Sequence, residues 1–376
     1  MAFDAETVVI GAGVVGLAVA RALVDAGHEV MVLERNGRAG LETSTHNSGV
    51  VHAGLYYPEG SLKARLTVRG RELLYRFAAA AGVGHQRCGK VIVATSHDEV
   101  RALEAIAVKA KAAGVGDLVW LDAAGVRELE PEVSVVAGLH SPSTGIIDAA
   151  GLVMALEGRV SAGGGEIVCG AAVVDASVLA GGGFRLVVEN AGERIPLTCR
   201  SLVVAAGLGA TELGARLSGR AGYRTPGLHP ARGHYFALAR PAPFRHLVYP
   251  VPAGGGLGIH ASLDLGGRVI FGPDCSWHDT VSYRFDDADG ARLRRFEAAI
   301  RRYWPGLPDG ALVPDQVGVR PRLTPEGAAL ADFRIDGPEA HGIDGLVGLY
   351  GIESPGLTAC LAIAEEVAAR LGPARR

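Results

Sequence analysis

The stretch Thr7-Val-Val-Ile-Gly11-Ala-Gly13-Val14-Val15-Gly16-Leu17, followed by a second run Glu29-Val-Met-Val-Leu-Glu34, decides the fold. Thr7–Ile10 is β-branched throughout and reads as a short buried strand. Leu17–Asp25 reads as an apolar helix that Gly27 ends, and Glu29–Leu33 as a second strand finishing in Glu34. Three glycines in G-x-G-x-x-G spacing thus stand between a strand and a helix, with an acid at the end of the next strand, the signature of a dinucleotide site. Gly11 permits the tight turn. Gly13 lets a pyrophosphate touch backbone near the amides of Val14 and Val15. Gly16 lets the helix pack on the strand, and the helix N-terminus faces the phosphates. Glu34 accepts hydrogen bonds from ribose hydroxyls and repels a 2′-phosphate, which disfavours NADP.

Outward from this unit, strands and helices alternate. Ser61 caps a helix over 61–81, with Leu62, Leu66, Leu73, Leu74 and Phe77 at its apolar positions. Lys90–Thr95 reads as a strand, 98–114 as a polar-faced helix and Pro142–Asp148 as a loop. A helix over 149–162 ends at Gly163-Gly164-Gly165. Short strands follow at Glu166–Val168, Ala171–Asp175, Phe184–Glu189 and Ser201–Ala205, the last leading through Ala206-Gly207 into a helix over 209–216. The middle carries further strand signals at Gly233–Leu238, Leu247–Val251, Gly258–Ser262 and Arg268–Phe271. An amphipathic helix is expected over Phe285–Tyr303. The tail repeats the opening in form, with strand Leu346–Tyr350, a glycine turn and a helix over 356–371. A β-rich middle lodged between two pieces of dinucleotide-type fold makes a mixed α/β chain of two interleaved domains.

Composition narrows the classes. A chain of 376 residues buries a core without metal or disulfide staples. With 48% apolar and 20% charged residues it is not a disordered chain. A net charge of −3 with no basic stripe gives no footing for nucleic acid. The cysteines at 88, 169, 199, 275 and 360 are odd in number and form no C-x-x-C pair. That excludes a zinc ribbon or disulfide scaffold, predicts no metal site and favours a reducing, cytoplasmic setting. The uncharged run Thr7–Ala20 is too short to cross a bilayer, and it lacks the basic flank and cleavage site of a leader. No transmembrane segment is expected.

Past the second strand comes Thr43-Ser44-Thr45-His46-Asn47-Ser48-Gly49-Val50-Val51-His52-Ala53-Gly54-Leu55-Tyr56-Tyr57. Together with the glycine fingerprint it resembles the FAD-dependent oxidoreductases of the D-amino-acid oxidase superfamily. Within that superfamily, the segment from His46 to Tyr57 with Ser61-Leu62-Lys63-Ala64 resembles the L-2-hydroxyglutarate dehydrogenases and oxidases. So do Cys88-Gly89-Lys90-Val91-Ile92-Val93-Ala94, Ala231-Arg232-Gly233-His234-Tyr235, Tyr249-Pro250-Val251-Pro252, Gly258-Ile259-His260 and Gly318-Val319-Arg320. The resemblance covers essentially the whole chain. Three departures border the expected pocket: His234 where the family often has an acid, Glu353 where a smaller or amide residue is usual, and a short run at 253–257. They bear on the substrate and leave the flavin untouched.

The resemblance implies a Rossmann-like FAD-binding domain of residues 1–85, 142–220 and 310–376, interleaved with a β-rich substrate-binding domain of 86–141 and 221–309. The AMP half of FAD would lie on Gly11–Gly16, with its ribose on Glu34 and Arg35 flanking the adenine. Thr43, Ser44, Asn47 and Ser48 would donate to pyrophosphate and ring, with close backbone approach at Gly49 and Val50. Backbone at Val173 would meet the adenine side, and Ala206-Gly207 would close over the pyrophosphate. Gly351, Ser354, Pro355, Gly356, Leu357 and Thr358 would turn helix N-terminal amides toward the flavin edge that gains negative charge on reduction. In this superfamily His46 or a cysteine is a candidate for covalent attachment.

Oxidising a 2-hydroxy acid needs a cation for the carboxylate, a base for the hydroxyl proton and a hydride acceptor. Arg320 and Arg232 are the candidate clamps, because a guanidinium binds both carboxylate oxygens; Arg320 serves substrate or cofactor. His52 and His260 are the candidate bases. Tyr249, Tyr56 and Tyr57 are candidates to line the pocket or donate to substrate. A second carboxylate would need Arg232, His234 or Lys63, and Glu353 in the pocket would oppose it. Lys63 and Lys90 otherwise read as salt-bridging surface groups. The expected activity is oxidation of a small carboxylate substrate, an L-2-hydroxyglutarate-like acid, to the 2-oxo acid by hydride transfer to flavin N5. The alternative is an amine or amino-acid oxidase of the same superfamily, which Glu353 beside the flavin would favour. A nicotinamide-binding protein is opposed by the donors at 43–49, and a non-catalytic flavin module predicts no redox change with any hydroxy acid. The electron acceptor stays open among oxygen, a quinone and a carrier protein. A quinone would call for peripheral attachment to the inner face of a membrane, yet no basic amphipathic helix stands out.

Overall fold

The computed structural model describes residues 3–217, 223–241, 243–251 and 258–374. The chain forms two compact units. The first takes Met1–Thr45, Ala149–Pro230 and Arg320–Arg376, the second His46–Asp148 and Ala231–Val319.

In the first unit, strand Ala5–Ile10 lies between Glu193–Val204 and Val30–Glu34, parallel to both, with Val8 opposite Leu202 and Met31. Glu166–Cys169 extends one side in parallel, and Leu346–Tyr350 pairs in parallel with Glu193–Val204. A parallel sheet covered on both faces selects apolar side chains at every position, and Val8, Val9, Val32 and Val203 have no exposed surface. The strand Glu193–Val204 reaches beyond this core and forms an antiparallel meander with Phe184–Asn190 and Ala172–Val178. Helix Val14–Asp25 packs against Ala149–Ala162 and Gly356–Leu371. The opening and closing strand–helix pieces therefore share one core, as their similar sequence form predicts.

The second unit is built on a mostly antiparallel sheet. Its order runs Ser276–Trp277, His229–Leu238, Val269–Phe271, Ala261–Leu263, Leu247–Pro250, Lys90–Ala94, Ala137–Ser141, Val119–Asp122, with Leu312–Arg322 beside His229–Leu238. Helices Leu62–Ala81, His97–Ala112, Ala123–Leu129 and Ala291–Arg301 accompany it. An aromatic core of Phe236, Phe244, Phe271, Phe296, Tyr303 and Trp304 fills it. Among the described residues no helix is long and apolar enough to cross a membrane. No group of three His, Cys, Asp or Glu side chains among them is placed to hold a metal ion.

Several expectations shift. Residues 46–85 and 142–148 pack with the second unit instead of the first, because Val50, Ala53 and Leu55 join the core around Val91–Ala94. The loop expected over 142–148 contains strand Gly145–Ile147, made by pairing with Val50–Val51 and His85–Gln86. The helix expected from Phe285 starts only at Ala291. Asp287 ends the preceding coil by accepting from the amides of Arg292 (2.8 Å) and Leu293 (3.0 Å), a carboxylate satisfying helix N-terminal donors. The strand expected at 258–262 is Ala261–Leu263, and the short run at 253–257 lies outside the described residues.

Candidate active site

The glycine fingerprint has the geometry its spacing predicts. Gly11 takes φ +104, a left-handed value, and a Cβ there would lie 2.6 Å from the Ala205 carbonyl oxygen. A Cβ on Gly16 would lie 1.9 Å from the carbonyl oxygen of Gly11, so only hydrogen fits between helix and turn. Gly13 is the N-cap of helix Val14–Asp25 and offers no side-chain cap, and no acid stands in the first turn. The amides of that turn, those of Val14, Val15 and Gly16 included, lack the intrahelical acceptors available further along. Ser44 Oγ accepts from Val14 N at 2.9 Å, which binds the 43–45 loop to the helix start. Glu34 is buried at the end of its strand. Its Oε2 accepts from Ala12 N at 2.8 Å, and its Oε1 accepts from the amide (2.8 Å) and side chain (2.7 Å) of Asn36. Oε2 keeps a lone pair for one more donor, such as a ribose hydroxyl. Ala206 lies against Gly11 at the end of the neighbouring strand, and Gly207 opens a short turn. An extended anion with a ribose at one end fits this cradle.

The other expected cofactor residues fall as follows. Arg35 is half exposed and pairs with Glu42, its Nη2 2.6 Å from Oε1, so its charge is met on the protein. Val173 sits at an irregularity in the edge strand Ala172–Val178. The donor loop is divided: Thr43 and Ser44 belong to the first unit, Asn47, Ser48, Gly49 and Val50 to the second. There Asn47 Oδ1 accepts from Gly49 N at 2.8 Å, forming a tight turn into strand Val50–Val51. His46 packs its ring on Tyr283, with centroids 4.6 Å apart. Gly351, Ser354 and Pro355 lead into helix Gly356–Leu371, whose first turn, with Leu357 and buried Thr358, has no acid and no side-chain cap. Glu353 does not stand open beside this turn. Its Oε2 is 3.4 Å from Arg322 Nε, and both groups are buried. Arg320, two residues earlier on the same strand, is partly buried.

In the second unit His52, His260 and Tyr249 gather around a residue misjudged from sequence. Lys90 is not a surface group. Its strand is flanked on both edges, by Leu247–Pro250 and by Ala137–Ser141, and its side chain has 0% exposure. Its Nζ has no hydrogen-bond partner among the described residues. The ammonium lies 4.9 Å from the Tyr56 ring centroid and 4.7 Å from that of Tyr249. Tyr249 stacks flat on His260, with centroids 3.6 Å and planes 8° apart. Burial drives the Lys90 pKa down to about 7. It also drives His52 down to about 3, with the charges of Lys90 and His260 adding to the effect. Burial pushes the phenols of Tyr56 and Tyr249 up, so both remain protonated donors. The one hint in the sequence was a lysine heading the apolar run Val91–Ala94.

Arg232 and His234 are elsewhere in the unit and are already engaged. Asp274 Oδ1 accepts from His234 N at 2.7 Å and lies 3.1 Å from the ring Nδ1. Asp286 Oδ1 lies 2.6 Å from His234 Nε2, and its Oδ2 lies 3.5 Å from Arg232 Nη1. Arg292 pairs with both acids. Burial would raise the Asp274 pKa, but hydrogen bonds from His234 and the Arg292 charge outweigh it and lower the carboxyl. Arg232 and His234 thus stand beside Asp274 and Asp286, acids that a substrate carboxylate reaching either residue would meet. Lys63 is buried as well and is not the surface group its sequence suggests. Glu130, which is wholly buried, accepts at Oε1 from Arg245 N (2.9 Å), His246 N (2.6 Å) and the His246 ring (2.8 Å).

Comparison with known proteins places the whole chain. The chain is 40% identical to a mitochondrial L-2-hydroxyglutarate dehydrogenase from Arabidopsis thaliana, over 96% of this chain and 82% of that one. It is 31% identical to an L-2-hydroxyglutarate dehydrogenase from Salmonella houtenae, over 87% and 85%. In fold it is similar to FAD-bound L-alpha-glycerophosphate oxidase from Mycoplasma pneumoniae, with TM-score 0.87 and 24% identity, over 99% and 96% of the two chains. It is also similar to glycine oxidase from Geobacillus kaustophilus, with TM-score 0.82 and 20% identity, over 100% and 96%. The sequence pattern of the FAD dependent oxidoreductases matches residues 6–370, so the chain belongs to that family.

Proposed function

We propose that this protein oxidises L-2-hydroxyglutarate, or a 2-hydroxy acid of the same shape, to the 2-oxo acid. The first unit acts as the FAD-binding part and the second as the part that shapes the substrate site. The substrate identity is supported by the names of the relatives that match most of the chain. The observation that carries the chemistry is the cluster of titratable groups in the second unit, where Tyr249 stacks on His260 with centroids 3.6 Å apart and His52 feels the charge of His260. A neutral imidazole has the free lone pair that a hydroxyl proton requires.

FAD, when bound, supplies the two-electron acceptor. The chain's residues do the rest. The amides after Gly13 and Glu34 Oε2 would hold the dinucleotide, together with Ser44 and Ala206-Gly207. The first turn of helix Gly356–Leu371 offers amides to developing negative charge. Arg320 is assigned to a substrate carboxylate, and His52 takes the hydroxyl proton at a ring nitrogen. His260, stacked on Tyr249, is the second candidate for that proton. Tyr56 and Tyr249 stay protonated and donate.

The amine-oxidase alternative loses its support. It drew on Glu353 as a free anion for an ammonium, and that carboxylate is paired with Arg322. Anaerobic titration followed by the visible spectrum tests the reading. Bleaching of the flavin by L-2-hydroxyglutarate, but not by the D isomer or glycine, is the expected result. A flavin left oxidised by L-2-hydroxyglutarate removes the substrate and keeps the cofactor.

A further inference from the structure

We propose that Lys90 recognises the distal carboxylate of the substrate: its buried ammonium is the cation that selects a dicarboxylic 2-hydroxy acid over a monocarboxylic one. The assignment rests on the reading of L-2-hydroxyglutarate as the substrate and adds the residue that tells it from an analogue with one charge fewer.

Strand register sorts the sheet of the second unit into two faces. Leu247 pairs with Lys90, Val248 with Val91 and Tyr249 with Ile92; Val248 also pairs with Ala261, Ala261 with Phe271 and Ser262 with Ile270. Paired side chains share a face, and successive ones alternate. Val91, Val248, Ala261 and Phe271 therefore turn toward the core that holds Phe236 and Phe296. Lys90, Tyr249 and Ser262 turn the other way, and His260 joins them through its stack on Tyr249. All four are buried. One face is closed by hydrocarbon, while the other carries an ammonium, a phenol, a hydroxyl and an imidazole.

Lys90 is the member of that face whose charge is unanswered. It has no exposed surface, and its Nζ has no hydrogen-bond partner among the described residues. The rings of Tyr56 and Tyr249 flank it, with centroids 4.9 and 4.7 Å from Nζ. Such contacts stabilise a cation modestly. A bare buried charge costs more than that, and a methionine would fill the same space without the cost, so packing alone does not explain an ammonium here. A carboxylate would answer it. Arg232 and His234 stand beside acids already, and Arg320 is assigned to the carboxylate next to the reacting carbon. The second carboxylate of a dicarboxylic acid is the anion left to place.

The cluster has room in its chemistry for both ends of that molecule. Tyr249 faces Lys90 on one side and stacks on His260, a candidate for the hydroxyl proton. Two methylenes separate the hydroxyl-bearing carbon of L-2-hydroxyglutarate from its distal carboxylate, so a hydroxyl near His260 leaves that carboxylate within the same cluster. Burial keeps the phenols of Tyr56 and Tyr249 protonated, so neither repels an anion. Tyr56 and His52 are partly exposed, which gives the cluster a side from which a ligand enters.

The test compares FAD-loaded wild type, K90M and K90Q on L-2-hydroxyglutarate and on L-2-hydroxyvalerate, in which a methyl group replaces the distal carboxylate. An artificial dye serves as electron acceptor. Binding of glutarate and of pentanoate to the oxidised enzyme, followed by the flavin spectrum, gives a readout without turnover. Wild type is expected to prefer the diacid in both measurements. K90M and K90Q are expected to lose at least about 10²-fold in kcat/KM for L-2-hydroxyglutarate, chiefly through KM, while L-2-hydroxyvalerate stays within about threefold of wild type. The preference for glutarate over pentanoate is expected to vanish with them. Variants that keep the wild-type preference, or that lose both substrates equally, would overturn the proposal. Should K90M not fold, K90Q decides by the same ratio. A wild type that oxidises both acids equally well removes the substrate reading and this proposal together, whereas a selective wild type whose selectivity survives in the variants removes Lys90 alone.

Discussion

The glycine cradle of the first unit and the Lys90 cluster of the second treat charge in opposite ways. In the cradle three charged side chains are met: Glu34 by three donors, Arg35 by Glu42, Glu353 by Arg322. What remains open is backbone, which cannot change its protonation. In the cluster a buried ammonium has no acid and an imidazole is driven far below its ordinary pKa. Backbone suits a ligand that needs only fit, whereas titratable side chains with shifted pKa values are the groups that exchange protons. The Arg232–His234–Asp274–Asp286–Arg292 network gives the comparison an internal control, since it is partly buried and its charges are paired within the protein.

The largest expected effect breaks the cradle. In G16V the new Cβ would meet the Gly11 carbonyl oxygen, and neither backbone can yield. The purified variant is expected to be colourless and to take up no added FAD; a yellow protein would contradict a cradle built on close backbone approach. Next comes H52N, which leaves the cradle untouched. It is expected to keep its flavin spectrum while the rate of anaerobic bleaching falls by roughly 10²–10⁴. A near-normal rate would transfer the base to His260. D274N then separates the paired network from the cluster. Leaving His234 and Arg292 short of an acid is expected to cost up to about 3–5 kcal/mol of stability in urea unfolding. Its kcat/KM per folded molecule should stay within a few-fold; a large catalytic loss at unchanged stability would place the network in the active site.

The last expected effect is in pH dependence. Lys90 has its folded pKa depressed from 10.5 to about 7, so between these values the unfolded chain binds more protons. Stability therefore rises with pH across that window, by up to about 1.4 kcal/mol per unit of depression. His52, depressed from 6.5 to about 3, makes stability fall as pH drops through its own window. Urea midpoints against pH should show both limbs in wild type and lose the alkaline one in K90M. An unchanged alkaline limb in K90M would mean that Lys90 is not the depressed group.

How much of this was readable beforehand depended on the range of the interactions. The Gly11–Glu34 fingerprint was legible because its turn, helix start and acid all lie within one strand–helix–strand unit. Ser61 and helix Leu62–Ala81 were legible for the same reason. Lys90 was not, because its burial is decided by Leu247–Pro250, far away in sequence, and nothing local separates a strand-heading lysine at an edge from one in the middle of a sheet. Arg232 and His234 resembled free cations until Asp274 and Asp286, some 40 residues on or more, folded against them. Glu353 was weighed as an open acid because its partner Arg322 lies on a strand well before it in sequence. Helix Ala291–Arg301 was drawn too long because Phe285 fits the apolar period, while Asp287 ends the coil by meeting the first amides.

Glu130 has a consequence of another kind. By gripping the amides of Arg245 and His246 it fixes where strand Leu247–Pro250 begins, and so which residue stands opposite Lys90. Side chains on a strand alternate, and a slip of one place would turn Tyr249 to the far face. The cluster around Lys90 therefore has no approximate version: its make-up depends on counting along a strand, and one buried carboxylate keeps the count.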